Sequence, residues 1–247
     1  MIVSGVMRIS PLPKAPAMTG RNGISRKRVI DHGEVFTPPG LVNDMLDLVA
    51  HECERVDSRF LEPACGDGNF LAEVLRRRLA LVDRRHKART QWEPQALLGL
   101  ACLYGIEKLL DNVSDCRERL YALFADHYAS RYQKLAKPEV LAAARLILRC
   151  NILHGDALKM TTPGDRVHPA KPLVFTEWSL LPGGKFKRRR YEYHDLTQPP
   201  PEAASGLFVP ANARLTDEDG RPVYIPCKVG DWPAVHYLKL GESKGER

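Results

Sequence analysis

The chain has 247 residues, 44% hydrophobic and 27% charged, which suits one α/β domain with a real core, or one domain plus a small appendage. No uninterrupted apolar run approaches the roughly 20 residues that span a bilayer, which argues against a membrane protein. The net charge of +7 and pI of about 9.1 mildly favour a polyanionic partner.

Residues 1–30 read as a flexible basic tail, with Arg21, Arg26, Lys27 and Arg28 clustered and no apolar core of signal-peptide length. In G-E-V-F-T-P-P-G-L-V, Thr37 is placed to cap a helix whose first turn tolerates the prolines. Leu41, Val42, Met45, Leu46 and Val49 then fall on one apolar stripe. A short strand at about 58–62 leads into F-L-E-P-A-C-G-D-G-N-F-L. A second helix follows, with Phe70, Leu71, Val74, Leu75, Leu79 and Val82 on one side, ending in a polar segment at 83–90.

A strand at about 101–106 is closed by Glu107, and a long helix is predicted at about 111–133. Pro138 opens another helix, and N-I-L-H-G-D forms a strand ending at Asp156. Near-continuous apolar strands between amphipathic helices predict a parallel sheet covered on both faces. K-P-L-V-F-T-E-W reads as a fourth strand, and beyond it come short β-like pieces and turn signals such as Q-P-P-P and D-E-D-G-R-P. The predicted organisation is a tail at 1–30, a core at 31–165, and the end of the sheet plus a β-rich, truncated extension at 166–247.

Six cysteines, at 53, 65, 102, 116, 150 and 227, form no C-x-x-C pair and no Cys/His set of zinc spacing. They predict free thiols in a reducing cytoplasm and no metal site.

The glycine loop at 62–70 indicates its ligand partly by exclusion. A phosphate-cradling loop needs a Gly-Lys-Ser/Thr ending, which is absent. A dinucleotide loop needs a third glycine, and position 71 is Leu. A nucleoside that carries an amino acid needs close backbone approach and an acid for its ammonium group. S-adenosylmethionine meets that description, with Glu62 at the strand end as the acid. Glu107 and Asp156 close the next two strands, where they can accept from the ribose hydroxyls and the adenine amine. All three acids fall on the edge where open α/β sheets bind ligands.

These segments resemble the S-adenosylmethionine-dependent DNA adenine amino-methyltransferases of restriction–modification systems. The likeness is greatest to the branch found in type I and combined endonuclease–methylase enzymes. G-E-V-F-T-P-P-G-L-V resembles the family's first cofactor motif, which implies contacts near Phe36 and Thr37. L-E-P-A-C-G-D-G-N-F-L resembles its glycine loop, which implies contacts from Glu62, Pro63, Ala64, Cys65, Gly66, Gly68 and Asn69. L-Y-G-I-E-K makes Glu107 the ribose ligand, and L-H-G-D-A-L makes Asp156 and Ala157 the adenine contacts. The resemblance spans about 33–158. It implies an α/β fold of class I methyltransferase type, a Rossmann-like parallel sheet flanked by helices. It also implies DNA as substrate and a restriction–modification or phage-defence setting. The 45 residues from Glu62 to Glu107 exceed the roughly 20 of a dinucleotide fold.

The chain departs from the family at the catalytic motif, Asn/Asp/Ser-Pro-Pro-aromatic at the fourth strand. That motif accepts the hydrogens of a poorly nucleophilic amine as charge develops, and it stacks the flipped base. At that point this chain offers T-E-W, with Thr176 and Glu177 as acceptors and Trp178 as a stacking face. A packed tryptophan beside a surface acid is the plain alternative. The chain is then either an adenine methyltransferase or a catalytically silent cofactor- and DNA-binding subunit. The silent subunit would need a specificity, catalytic or endonuclease partner chain. An RNA or protein methyltransferase is a third reading, since the cofactor half does not name the substrate.

K-F-K-R-R-R-Y-E-Y interleaves cations with aromatics. Lys185, Lys187, Arg188, Arg189, Arg190 and Tyr191 are candidate phosphate and base contacts, and a solvated basic face is the alternative.

Overall fold

The computed structural model describes residues 37–197, 215–216, 222–223 and 226–242. Helices α1 (Pro39–Leu48) and α2 (Ala50–Cys53) precede β1 (Phe60–Glu62), α3 (Asn69–Arg85) and α4 (Arg89–Ala101). Next come β2 (Leu103–Glu107), α5 (Leu110–Tyr132), α6 (Pro138–Asn151) and β3 (Ile152–His154). The second half holds β4 (Val174–Leu181), β5 (Lys185–Glu192), α7 (Tyr193–Thr197), β6 (Leu215–Thr216), β7 (Pro222–Val223) and β8 (Lys228–His236). A 3-10 helix at Tyr237–Glu242 follows.

Strands β1, β2 and β3 form a parallel sheet in that order, with Glu62 beside Gly105 and Glu107 beside His154. A parallel pair needs a long crossover, and helices supply both. One face of the sheet, with Leu103 and Ile152, shares a core with buried residues of α1 and α3 to α6. The other face differs from a doubly wound fold. Tyr104 and Ile106 are covered by Leu173, Phe175 and Tyr193.

The fourth predicted strand exists, but it does not extend the parallel sheet. Strand β4 pairs antiparallel with β5, and β5 with β8, in a separate sheet. The Pro182–Gly184 turn explains the pairing: Gly183 and Gly184 take φ of 76° and 69°, which reverses the chain within a hairpin. This second sheet shares the helical core, since Trp178 and Phe186 pack with the α3–α6 residues.

Helix α1 starts one step later than the capping pattern predicts. Pro38, at φ −60° and ψ 146°, holds the capping position in place of Thr37, and no side chain among the described residues caps the helix. Pro39 excludes its predecessor from helical geometry, so the helix begins at Pro39 itself. The predicted apolar stripe is also divided. Val42 and Leu46 are buried, while Leu41 and Met45 are exposed.

Helix α4 is the element the sequence hides. Trp92, Glu93, Pro94, Ala96, Leu97, Gly99, Leu100 and Ala101 are all buried, so no polar face marks a helical period. Its carboxyl end is held by Arg78, fully buried, which donates to the Gly99 carbonyl at 2.7 Å and to the Ser58 carbonyl. A guanidinium there complements the negative end of the helix.

Candidate functional site

The loop after β1 is tied to both neighbouring elements. Gly66 and Gly68 have φ of 52° and 89°, the left-handed region that glycine enters without strain. The Cys65 N–H donates to the Ile106 carbonyl at 3.0 Å, and the Gly68 N–H donates to the Cys65 carbonyl at 2.9 Å. A Cβ at Gly68 would lie 2.7 Å from the Cys116 sulfur, and one at Gly105 would lie 2.8 Å from the Cys65 sulfur. Both glycines therefore allow the loop to close onto β2 and α5. The hydrogen bond between the Cys65 and Cys116 thiols, together with burial, pushes the Cys65 thiol up.

Glu107 clasps this loop. One carboxylate oxygen accepts from the Gly66 N–H at 2.9 Å, and the other accepts from the Leu109 N–H at 2.8 Å. Arg119 of α5 adds a second clasp, donating to Asn69 Oδ1 at 2.7 Å and pairing with Asp67. Asn69 begins α3, so the loop, the helix after it and α5 are joined at one point.

Glu62 stands apart from these. It is half-buried at the end of β1, and burial pushes its carboxyl above the ordinary value of 4.5, against a hydrogen bond from Ala64. Among the described residues no cation pairs with it. Pro63 and Ala64 complete the turn that follows.

Asp156 lies two residues beyond β3. Its Oδ1 accepts from the Leu158 and Lys159 N–H groups at 3.0 and 3.1 Å, and Lys108 lies 3.6 Å from its Oδ2. The Lys159 hydrogen bond, then the Leu158 one and the Lys108 charge, hold its carboxyl below the usual 3.8. Asp156 therefore shapes its own turn and retains acceptor capacity on the second oxygen. Ala157 packs against the Tyr104–Phe175 cluster. Phe36 lies outside the described residues, and Thr37 is half-buried just ahead of α1.

The structure thus brings Glu62, the 63–69 loop, Glu107 and Asp156 to the carboxyl ends of three adjacent parallel strands. It does not bring Thr176, Glu177 and Trp178 there. The Trp178 indole donates to Asn151 Oδ1 at 3.0 Å, and Asn151 in turn donates to the Ala101 and Leu103 carbonyls. Those residues sit where β2 and β3 begin. Glu177 pairs at 2.6 Å with Arg59, the residue before β1. The Thr176 carbonyl accepts from the Tyr104 hydroxyl at 3.1 Å. Thr176 and Trp178 are buried, which leaves no open face for stacking a base.

The six residues of the basic segment divide by strand alternation. Phe186, Arg188 and Arg190 share a face with Trp178 and Trp232. The Arg188 guanidinium lies 4.2 Å from the Trp232 ring centroid, and that of Arg190 5.4 Å. Lys185, Lys187, Arg189 and Tyr191 lie on the opposite face. Sequence reading missed Arg119 and Cys116, because a residue on a later helix carries no local mark that it will clasp a distant loop.

Fold and site together define a mixed α/β chain with a three-stranded parallel sheet flanked by helices, compatible with a Rossmann-like fold. Comparison with family models, curated proteins and solved structures finds no match to this chain. No described helix is long and apolar enough to cross a membrane, and the described residues hold no group of three or more His, Cys, Asp or Glu placed for a metal ion.

Proposed function

We propose that the chain binds S-adenosylmethionine at the carboxyl ends of β1, β2 and β3, as the cofactor half of a DNA adenine methyltransferase. The observation that carries the reading is Glu62. A half-buried carboxylate with no cationic partner among the described residues stands beside a glycine loop that is already closed. Burial makes ionisation there costly, and a ligand ammonium group would relieve that cost. The ribose hydroxyls would meet the acceptor capacity left on Glu107, and the adenine amine that of Asp156. Two glutamates and Asp156 at one edge disfavour a pyrophosphate ligand, since like charges repel. When bound, the cofactor supplies an electrophilic methyl group.

The chain's own residues do the holding. Glu107 and Arg119 keep the loop in shape before the ligand arrives, which lowers the ordering cost of binding. The adenine and DNA parts of the reading rest on the resemblance of residues 33–158 to that family. A second reading is a subunit that holds cofactor and leaves transfer to a partner chain. Two observations favour it: Trp178 is buried at the other end of the strands, and the described parallel sheet has three strands, with β4 in a separate sheet.

Titration calorimetry with S-adenosylmethionine tests the cofactor reading. Wild type is expected to bind, with affinity lowered at least tenfold in Glu62→Gln. Equal affinity in both proteins would sink it. Transfer of tritiated methyl to unmethylated DNA then separates the two readings, because the subunit binds cofactor and transfers nothing alone.

A further inference from the structure

We propose that the outward face of the β4–β5–β8 sheet is a nucleic-acid anchoring surface, distinct from the cofactor edge. The proposal rests on the nucleic-acid part of the reading above and not on its cofactor part.

Strand alternation sorts this sheet into two faces. Trp178, Phe186 and Arg188 are buried on one. The other carries Glu177, Ser179, Lys185, Lys187, Arg189 and Tyr191, in β8 Asp231, and at its Tyr191 end Phe175, which is buried against Tyr104 and Ile106. Glu177, Arg189 and Asp231 stand directly opposite one another across the three strands. Each carboxylate is shared. Glu177 takes Arg59 at 2.6 Å, Arg189 at 3.4 Å and the Tyr191 hydroxyl at 3.4 Å. Asp231 takes Lys187 and, at 2.9 Å, Lys228. Four cations thus share two carboxylates, and exposed Lys185 adds a fifth. The face carries surplus positive charge on side chains that remain partly open to water.

A single cation beside a carboxylate is an ordinary surface pair worth little. A patch in which cations outnumber carboxylates is different, because a chain of phosphates can take up the remaining donors and release its own counterions. Lys185, Lys187 and Arg189 recur every second residue along β5, about 6.6 Å apart. That row suits a repeating anion better than a single small one. Tyr191 ends the row, half-buried opposite Phe175 with its hydroxyl on Glu177.

The surface is anchored to the start of the parallel strands through Arg59, which precedes β1. The glycine loop lies at their other end. Nucleic acid held here is tethered to the chain and is not presented by this face to the cofactor edge of the same chain.

Fluorescence anisotropy with labelled single-stranded and duplex DNA, titrated across salt concentrations, tests this. Wild type is expected to bind with a log–log salt slope set by about three to four phosphate contacts, at roughly −0.7 each for a single strand or −0.9 for a duplex. Lys185→Ala/Lys187→Ala/Arg189→Ala should lose at least tenfold in affinity and about two units of slope, with S-adenosylmethionine binding unchanged. Glu177→Gln/Asp231→Asn should bind at least threefold tighter, since it frees four cations. No binding by wild type at low salt, an unchanged slope in the first variant, or weaker binding in the second while its circular dichroism stays native would each overturn the proposal. A purely structural network predicts the last of these outcomes.

Discussion

The Glu107 carboxylate accepts a hydrogen bond from the Gly66 N–H at 2.9 Å, so the acid that closes β2 also holds the loop that follows β1. Its second oxygen takes the Leu109 N–H. Glu107→Ala leaves both backbone donors without their acceptor in a nearly buried place, at about 1–3 kcal/mol each. Urea unfolding should show a stability loss of that order. Glu107→Gln keeps one acceptor oxygen and should lose roughly half as much.

Glu62 gives a pH dependence of known sign. Burial raises its folded pKa above the unfolded value near 4.5, so the folded chain holds the proton more tightly. Stability from this group is therefore full below the unfolded value and falls as pH rises through the folded value. Glu62→Gln removes the cost of ionisation. In thermal unfolding without ligand it should be more stable than wild type at neutral pH, and the difference should shrink towards pH 4. Equal melting temperatures across that range would contradict the assignment.

The parallel sheet was legible because apolar strands such as Leu103–Ile106 end in acids, and because α3, α5 and α6 have one apolar side each. Helix α4 was not legible, since residues buried all round leave no period to read. The glycine loop could be read from Gly66 and Gly68, whose positive φ values need no partner elsewhere in the sequence. Its clasps could not, because Arg119 meets Asp67 and Asn69 only after α5 has packed. T-E-W was ambiguous for a further reason. A tryptophan after a threonine and an acid reads alike as a stacking face or as core, and the Asn151 hydrogen bond that ties this one into the core is long-range.

Two costs at Gly68 can be separated. Gly68→Ala puts a Cβ 2.7 Å from the Cys116 sulfur and forces a left-handed backbone on an L residue. The backbone cost is about 1–2 kcal/mol. The clash is relieved when Cys116→Ala is added. Denaturant titrations of the two single variants and the double variant form a cycle. Its coupling term should favour the double variant by at least ~1 kcal/mol, a size met for residues in contact.

Glu93 ties the C-terminal 3-10 helix to the helical layer. It is fully buried and accepts from the Tyr128 hydroxyl at 2.5 Å and the Tyr237 hydroxyl at 2.6 Å, with Arg89 at 3.6 Å and Lys137 at 3.9 Å. Glu93→Ala leaves two phenols without their acceptor at about 1–3 kcal/mol each, while Arg89 and Lys137 keep contact with water. Tyr237→Phe removes one hydrogen bond to a charged acceptor, about 1.5–3 kcal/mol. Hydrogen exchange should speed selectively at 237–242 in the tyrosine variant and more widely in the glutamate variant.

Trp178 separates a structural role from a catalytic one. Its ring packs with α4 and α6 residues, and its indole N–H donates to Asn151 Oδ1, whose amide nitrogen in turn donates to the Ala101 and Leu103 carbonyls. Trp178→Ala opens a cavity at a cost of about 3–5 kcal/mol and leaves an amide oxygen unpaired. Trp178→Phe keeps most of the volume and loses only the hydrogen bond, so it should stay folded with a loss of about 1–2 kcal/mol. Calorimetry on the phenylalanine variant should return wild-type S-adenosylmethionine affinity, because the ring lies at the amino ends of strands whose carboxyl ends hold the loop. A residue that stacked the substrate base would instead leave stability unchanged on replacement and alter methyl transfer alone.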